Sequence, residues 1–311
     1  MLSNFISSYA GELSALLTAV FWTITAIAFE SATKKVGSLP VNLIRLVLAF
    51  VLLSLYSFVV RGQVLPFDAG KHQWIWLSLS GLVGFVLGDL FLFRAYVLIG
   101  ARISMLIMSL APPIAAAIGW VTMGETLSAK QGVGMLLIFM GIAMVILQRD
   151  SDKEVGSKKS RRVRFSYPIL GLLLAFGGAV GQAGGLVLSK YGMDGYDVVS
   201  SVQIRVITGI SGFLLFFLIS NRWKDLILAI KNTNAAKRIA VGSFFGPFLG
   251  VSFSLLSVKY TSTGVASALM SIVPVLIIAP SVVVFHEKVT VKEIVGAVIT
   301  VGGVITFFIR M

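Results

Sequence analysis

Few side chains in this sequence could carry chemistry. Asp89 is the acid set deepest in an apolar segment, seven residues short of Tyr96, or roughly 10 Å of helix. An acid there is costly and normally faces a cavity or a partner. It can be read in two ways: a proton-coupling or amine-binding group, or half of a buried ion pair. Arg94 is a poor partner, because five residues turn a helix by about 140°. Arg45 enters its own segment from the same side at similar depth. Glu30, ending the segment before it, offers Arg45 another carboxylate and would leave Asp89 free. Arg45 and Arg205 are expected to stretch toward the interface, where long cationic stems keep their charge in water.

A second set rests on backbone chemistry. Pro112, followed by Pro113, and Pro274 fall in the middle of apolar segments, where each proline removes an intrahelical hydrogen bond and clashes with the turn before it. Helices broken at mid-depth occur where backbone lines a cavity. Met108 with Ser109, and Met270 with Ser271, stand beside these prolines, and methionine's flexible thioether suits a tolerant apolar pocket. Trp22, Thr25 and Gln182 add an aromatic wall and hydrogen-bonding groups. Pro113 apart, these nine residues are the candidate lining of a small-molecule cavity. Glu125 and Glu287 are read differently. Ser128 with Gln131, and Thr290 with Glu293, form S/T-x-x-Q/E capping boxes, which puts both glutamates in tight turns before the next helix.

Composition limits what else is open. The chain has 311 residues, 57% hydrophobic and 13% charged, against roughly a quarter charged in soluble chains. With mean hydropathy at +0.95, too few polar side chains remain to cover a water-exposed globule. The absence of cysteine removes thiol nucleophiles and thiolate metal sites, and His72 and His286 stand too far apart in sequence to suggest an imidazole cluster. No metal or other cofactor is expected. No G-x-x-x-x-G-K-[ST] segment is present to bind a nucleotide phosphate. A net charge of +13 would suggest nucleic acid, but the basic residues lie mostly in loops between apolar segments and no aromatic-interleaved basic groove occurs.

A bilayer core of about 30 Å needs roughly 20 apolar residues per helix, and ten such runs are found. They are Glu12 to Ser31, Val41 to Val60, Trp74 to Val97, Arg102 to Met123 and Ala129 to Leu147, then Pro168 to Lys190, Val198 to Ser220, Ile239 to Tyr260, Gly264 to Phe285 and Val291 to Ile309. The first lacks the flanks of a secretory signal and is expected to stay as a helix. A polar, basic linker over 148–166 divides residues 1–147 from 167–311. Sliding the chain by 162 residues lays Gly84 on Gly246, Gly88 on Gly250, Met108 on Met270, Ser109 on Ser271, Pro112 on Pro274 and Glu125 on Glu287. A shift of 160 lays Arg45 on Arg205 and Trp22 on Gln182. An odd number of spans per copy makes the second copy enter from the opposite face, giving an all-α integral membrane protein of ten transmembrane helices in two inverted five-helix repeats. Such a repeat allows two equivalent packings, open to either side.

The stretches GFVLGDLFLFRAYVLIGARISMLIMSLAPPIAAAIGW and GPFLGVSFSLLSVKYTSTGVASALMSIVPVLIIAPSVVV resemble the two domains of the EamA family of the drug/metabolite transporter superfamily. The resemblance implies a ten-helix carrier in the cell membrane, with a central cavity between the halves, moving small metabolites such as amino acids, often outward. Its partners would be that substrate, the lipid bilayer and protons as a candidate coupling ion, not nucleic acid. A facilitative channel, or a lipid-handling or enzymatic membrane protein, is the alternative, though no constellation of catalytic carboxylates or histidines supports an enzyme. The sequence departs from the family pattern at Asp89 and at His286.

Sidedness can be read from charge. Seventeen Lys and Arg fall on the side of the linker and six on the other, which by the positive-inside rule puts the linker in the cytoplasm and both termini outside. Gly134 with Gly141, and Gly296 with Gly303, are seven apart and share a helix face. They suit an interior contact or a dimer seam, with the interior favoured, and monomer and dimer both stay open.

Overall fold

The computed structural model describes residues 8–146, 168–278, 280 and 291–306. Among these residues every regular element is helical. The chain runs through α1 (Ala10–Val36), α2 (Ser38–Arg61), α3 (Lys71–Ala101), α4 (residues 102–108, then Ala111–Met123) and α5 (Ala129–Ile146). After the linker, which lies outside the described residues, come α6 (Ile169–Met193), α7 (Val198–Ser220), α8 (Thr233–Tyr260), α9 (Thr263–Met270, then Val273–Leu276) and α10 (Val291–Ile305). Six of these, α1 to α3 and α6 to α8, are long and apolar enough to cross a bilayer, and the others are shorter apolar helices. A short amphipathic helix, Trp223–Lys231, joins α7 to α8.

Boundaries are set by local chemistry. Gly37, at φ +86°, separates α1 from α2. Gly100, at φ +77°, breaks the helical run between α3 and α4 in a conformation that L side chains rarely adopt. Asp197 caps α7 by accepting from the Ser200 N–H at 2.8 Å. Ser128 and Gln131 make the expected reciprocal box before α5, each side chain bonding the other's backbone N–H at 2.9 and 3.2 Å. Its counterpart at Thr290 and Glu293, like His286 and Glu287, lies outside what the structure describes.

Helices from the two halves meet in a reciprocal pattern. The third helix of each half packs on the first of the other: α3 on α6, and α8 on α1. Second packs on second, fourth on fourth and fifth on fifth. The contacts run antiparallel along α3 and α6, α8 and α1, α2 and α7, and α5 and α10. Along α3 and α6, Gly84 meets Gly185, Gly88 meets Gly181 and Ile99 meets Gly171. Along α8 and α1, Gly242 meets Phe29, Gly246 meets Thr25 and Gly250 meets Trp22.

Small residues make these approaches possible where lipid supplies no hydrophobic drive. A Cβ on Gly181 would lie 2.6 Å from the Gly88 Cα, so α6 and α3 touch backbone to backbone. Ser80 and Ser189 add a hydroxyl pair across the same seam at 2.7 Å. The glycines of α5 and α10 face each other inside the monomer: a Cβ on Gly141 would lie 2.4 Å from the Gly296 carbonyl oxygen, and one on Gly303 2.8 Å from that of Gly134. Their shared face is therefore interior. The outer surface is apolar instead of polar, with Val51, Leu55 and Val59 of α2 at 57%, 60% and 74% exposure, as expected of a face solvated by hydrocarbon.

Candidate functional site

Two features aim side chains at the centre of the bundle. Residues Leu82–Gly88 of α3 and Phe244–Gly250 of α8 each form a seven-residue π-helical stretch, at positions related by the 162-residue shift. The wider i→i+5 turn rotates the facing of the residues after it, and such turns gather at functional places in helices. Asp89 comes directly after the first and Val251 after the second. The signal for these stretches was Pro247, inside the second one, where it leaves a backbone carbonyl without its usual donor.

The second feature is the broken fourth helix of each half. The regular run of α4 stops at Met108 and resumes at Ala111, with Pro112 and Pro113 in the first turn of the new segment, where a missing N–H costs nothing. In α9 the run stops at Met270 and resumes at Val273, with Pro274 in the first turn. The prolines start helices here instead of kinking one, and Met108, Ser109, Met270 and Ser271 sit at the breaks.

Between the two halves lies a cavity of about 100 Å³. Trp22, Thr25, Met108, Ser109, Pro112, Gln182, Met270, Ser271 and Pro274 all line it, as do Arg45 and Asp89. Glu30 is not among the lining residues; its carboxylate takes Lys34 one turn later, at 2.6 Å. Sequence reasoning missed the aromatic wall of Phe29, Phe85, Phe93 and Tyr96. These residues stand out little in a chain with 22 phenylalanines.

Arg45 and Asp89 meet in the cavity wall. The Arg45 Nη2 is 2.6 Å from the Asp89 Oδ2, its Nε donates to the Asn42 Oδ1 at 3.0 Å, and its guanidinium lies 4.7 Å over the Phe93 ring. The expectation that Arg45 and Arg205 reach for the interface is overturned, since they are only 4% and 3% exposed. Snorkelling needs a clear path to the headgroups. Here the glycine-lined contacts of α3 leave space on the inner side, and a Cβ on Gly84 would lie 3.2 Å from the Arg205 Nη2. The Arg205 guanidinium stacks 4.7 Å over Phe85. It makes no hydrogen bond or ion pair among the described residues, and its Nε is buried without an acceptor.

Where α4 and α6 end and α9 begins, Glu125 of the first half meets Lys190 and Thr263 of the second. The Lys190 Nζ donates to the Glu125 Oε1 at 2.6 Å and to the Thr261 carbonyl at 2.7 Å, while the Thr263 N–H donates to the Glu125 Oε2 at 2.9 Å. Burial pushes the Glu125 carboxyl up, but the bonds from Lys190 and Thr263 outweigh it and hold the group below its usual range. At the same end, Arg61 of α2 pairs with Asp68 and Asp197, and the Tyr196 hydroxyl donates to Asp68 at 2.7 Å. That bond, with the Arg61 contact, lowers Asp68 against a smaller desolvation, whereas desolvation and Asp68 together push Tyr196 up to about 12. Among the described residues no three His, Cys, Asp or Glu side chains converge to hold a metal ion.

Comparison with known proteins adds identity at the family level. Residues 9–147 and 169–309 each match the EamA-like transporter family. An uncharacterized transporter of Bacillus subtilis, YvbV, is 26% identical over 196 residues, which is 62% of this chain and 58% of that protein. An uncharacterized membrane protein of Saccharomyces cerevisiae, YMR253C, is 22% identical over 190 residues, 58% of this chain and 45% of that protein. The chain thus spans about half the length of the curated relatives it matches. A solved crystal structure superposes with a TM-score of 0.69 over 96% of both chains at 16% identity, a likeness of fold alone.

Proposed function

Because this chain belongs to the EamA-like transporter family and is a multi-pass membrane protein, we propose that it is a transporter, a secondary carrier exporting one small metabolite, an amino acid or related amphipathic compound. The proposed architecture is ten transmembrane helices in two inverted five-helix repeats, residues 1–147 and 167–311, joined by the linker at 148–166. The observation that carries this reading is the cavity lined at once by the break in α4 and the break in α9. A site lying between two halves, at the points where their helices are interrupted, is the place where rocking of one half against the other exposes a ligand to alternate sides. The antiparallel pairing of second on second and of fifth on fifth helix supports the inverted arrangement, because it gives the bundle similar contacts when either end opens. Asp89, the acid on the cavity wall, is the proposed proton-coupling group, released from Arg45 when it takes a proton.

Saturable counterflow tests the carrier reading. Liposomes holding the purified protein and preloaded with a candidate amino acid should accumulate the labelled compound transiently above equilibrium. A channel dissipates a gradient without overshoot, and a membrane enzyme would alter the compound instead of moving it. Asp89→Asn is expected to leave counterflow in place while removing its response to a pH gradient; an unchanged response excludes Asp89 as the coupling group.

A further inference from the structure

The cavity carries one positive charge too many. Arg45 and Arg205 occupy equivalent positions in the two halves, but Asp89, which neutralises Arg45, has Val251 as its counterpart. Arg205 is left as a buried cation with no carboxylate bonded to it. Two other polar groups on the same cavity stand unused: among the described residues neither the Gln182 amide nor the Trp22 indole N–H has a hydrogen-bond partner. A buried guanidinium without an acceptor is costly, and natural structures rarely leave one so. Room is kept beside it, since any side chain at residue 84 would press on the Arg205 Nη2.

We infer that Arg205 is the docking point for a single carboxylate on the cargo, with the Gln182 amide and the Trp22 N–H completing the cradle. This rests on the carrier reading and narrows it. The planar guanidinium fork matches a carboxylate in two parallel hydrogen bonds, and the net charge of Arg45, Asp89 and Arg205 balances one negative charge and no more. The rest of the wall, with Phe85, Met108 and Met270, takes a compact apolar body. An organic monocarboxylate, or the carboxylate end of a zwitterion, satisfies both. A cation faces the wrong field, and a doubly charged phosphate ester exceeds it.

The test uses the purified full-length protein and three matched sets: isobutyrate, isobutyramide and isobutylamine; benzoate, benzamide and benzylamine; and chloride with inorganic phosphate. Binding is read as the concentration-dependent rise in melting temperature. The carboxylates should raise it in the wild type, at least tenfold more potently than amide, amine or inorganic anion. Arg205→Gln should abolish the carboxylate response. Val251→Asp offers an independent arm, because it sets an acid where Asp89 stands in the other half. It should raise the melting temperature of the ligand-free protein by pairing Arg205, and should also abolish the response. The inference is overturned if no carboxylate shifts the wild type, if amides, amines or inorganic anions act as well, or if either variant still responds. Carboxylate binding without counterflow in liposomes would sink the carrier reading alone; counterflow of an amine unaffected by carboxylates would sink this inference alone.

Discussion

The Lys190 ammonium stands 2.6 Å from the Glu125 carboxylate, tying the last turn of α6 to the loop after α4. Thr263, at the start of α9, joins the same carboxylate, so one acid draws together three helix ends from both halves. Breaking it should loosen that end of the cavity. The chain has no cysteine of its own, so a single cysteine placed on the cavity wall, Ser267→Cys, reports access cleanly. Adding Glu125→Gln is expected to speed its labelling by a reagent confined to the side where α4 ends. Equal rates would show that the contact does not hold that end shut.

The same carboxylate makes a pH prediction. Its value is depressed on folding, below an ordinary 4.5, so its contribution is complete above that pH and disappears as the pH falls through the folded-state value. Melting temperatures of the wild type should therefore drop more steeply below pH 4.5 than those of Glu125→Gln, and the two curves should approach each other at the acid end. Parallel curves would mean the group is not depressed.

The glycine seams predict a sharp positional contrast. Gly181→Val would drive a branched side chain into the Gly88 backbone, where nothing flexible can yield, and should cost at least the roughly 1–3 kcal/mol typical of overpacking. Gly141→Val should do the same between α5 and α10, where Thr300 and the Gly296 carbonyl are in the way. Gly132→Ala and Gly302→Ala meet no atom within 4 Å and should leave stability unchanged or slightly raised. Thermal unfolding of the four variants in one detergent decides it. If the seam variants match the surface ones, the close approach of the helices is wrong.

What could be read in advance divides by physical cause. Six of the ten expected spans, and the helix breaks beside Pro112 and Pro274, were legible because hydropathy and proline chemistry act locally, and the repeat shift showed the breaks twice. The capping box at Ser128 was legible for the same reason. The facing of Arg45 and Arg205 was not, since it depends on space opened by glycines of another helix, Gly84 above all. Nor was the choice of Glu30 for Lys34, one turn away on the same helix, over the distant Arg45. The inequality of Asp89 and Val251 was visible in the alignment of the halves; its meaning for Arg205 needed the two arginines to be seen on one cavity.

Membrane orientation yields a direct prediction. The linker side carries 17 of the Lys and Arg against six opposite, a bias from which the positive-inside rule predicts a cytoplasmic linker. Ser157→Cys in the otherwise cysteine-free chain should resist an impermeant maleimide on intact cells and react once the membrane is opened. Reaction in intact cells would invert the topology and, with it, the side to which the Glu125 contact belongs.

Arg45 and Asp89 supply the strictest test of the central charge arrangement. Both are buried, at 4% and 7% exposure, and each is the other's counter-charge at 2.6 Å. Removing one partner leaves the other as an uncompensated charge in a low-dielectric wall, which costs about 3–5 kcal/mol, whereas removing both often costs little. Asp89→Asn and Arg45→Met should each lower the melting temperature markedly, and the double variant should recover most of the loss. Asp89→Asn carries a further consequence, because it leaves two unpaired guanidiniums on one cavity. Its melting temperature should then respond to added carboxylates more strongly than the wild type's, while Arg45→Met, which leaves Asp89 facing Arg205 alone, should respond less. Single and double variants that melt alike would mean that the pair is solvated and that the cavity's surplus positive charge has been miscounted.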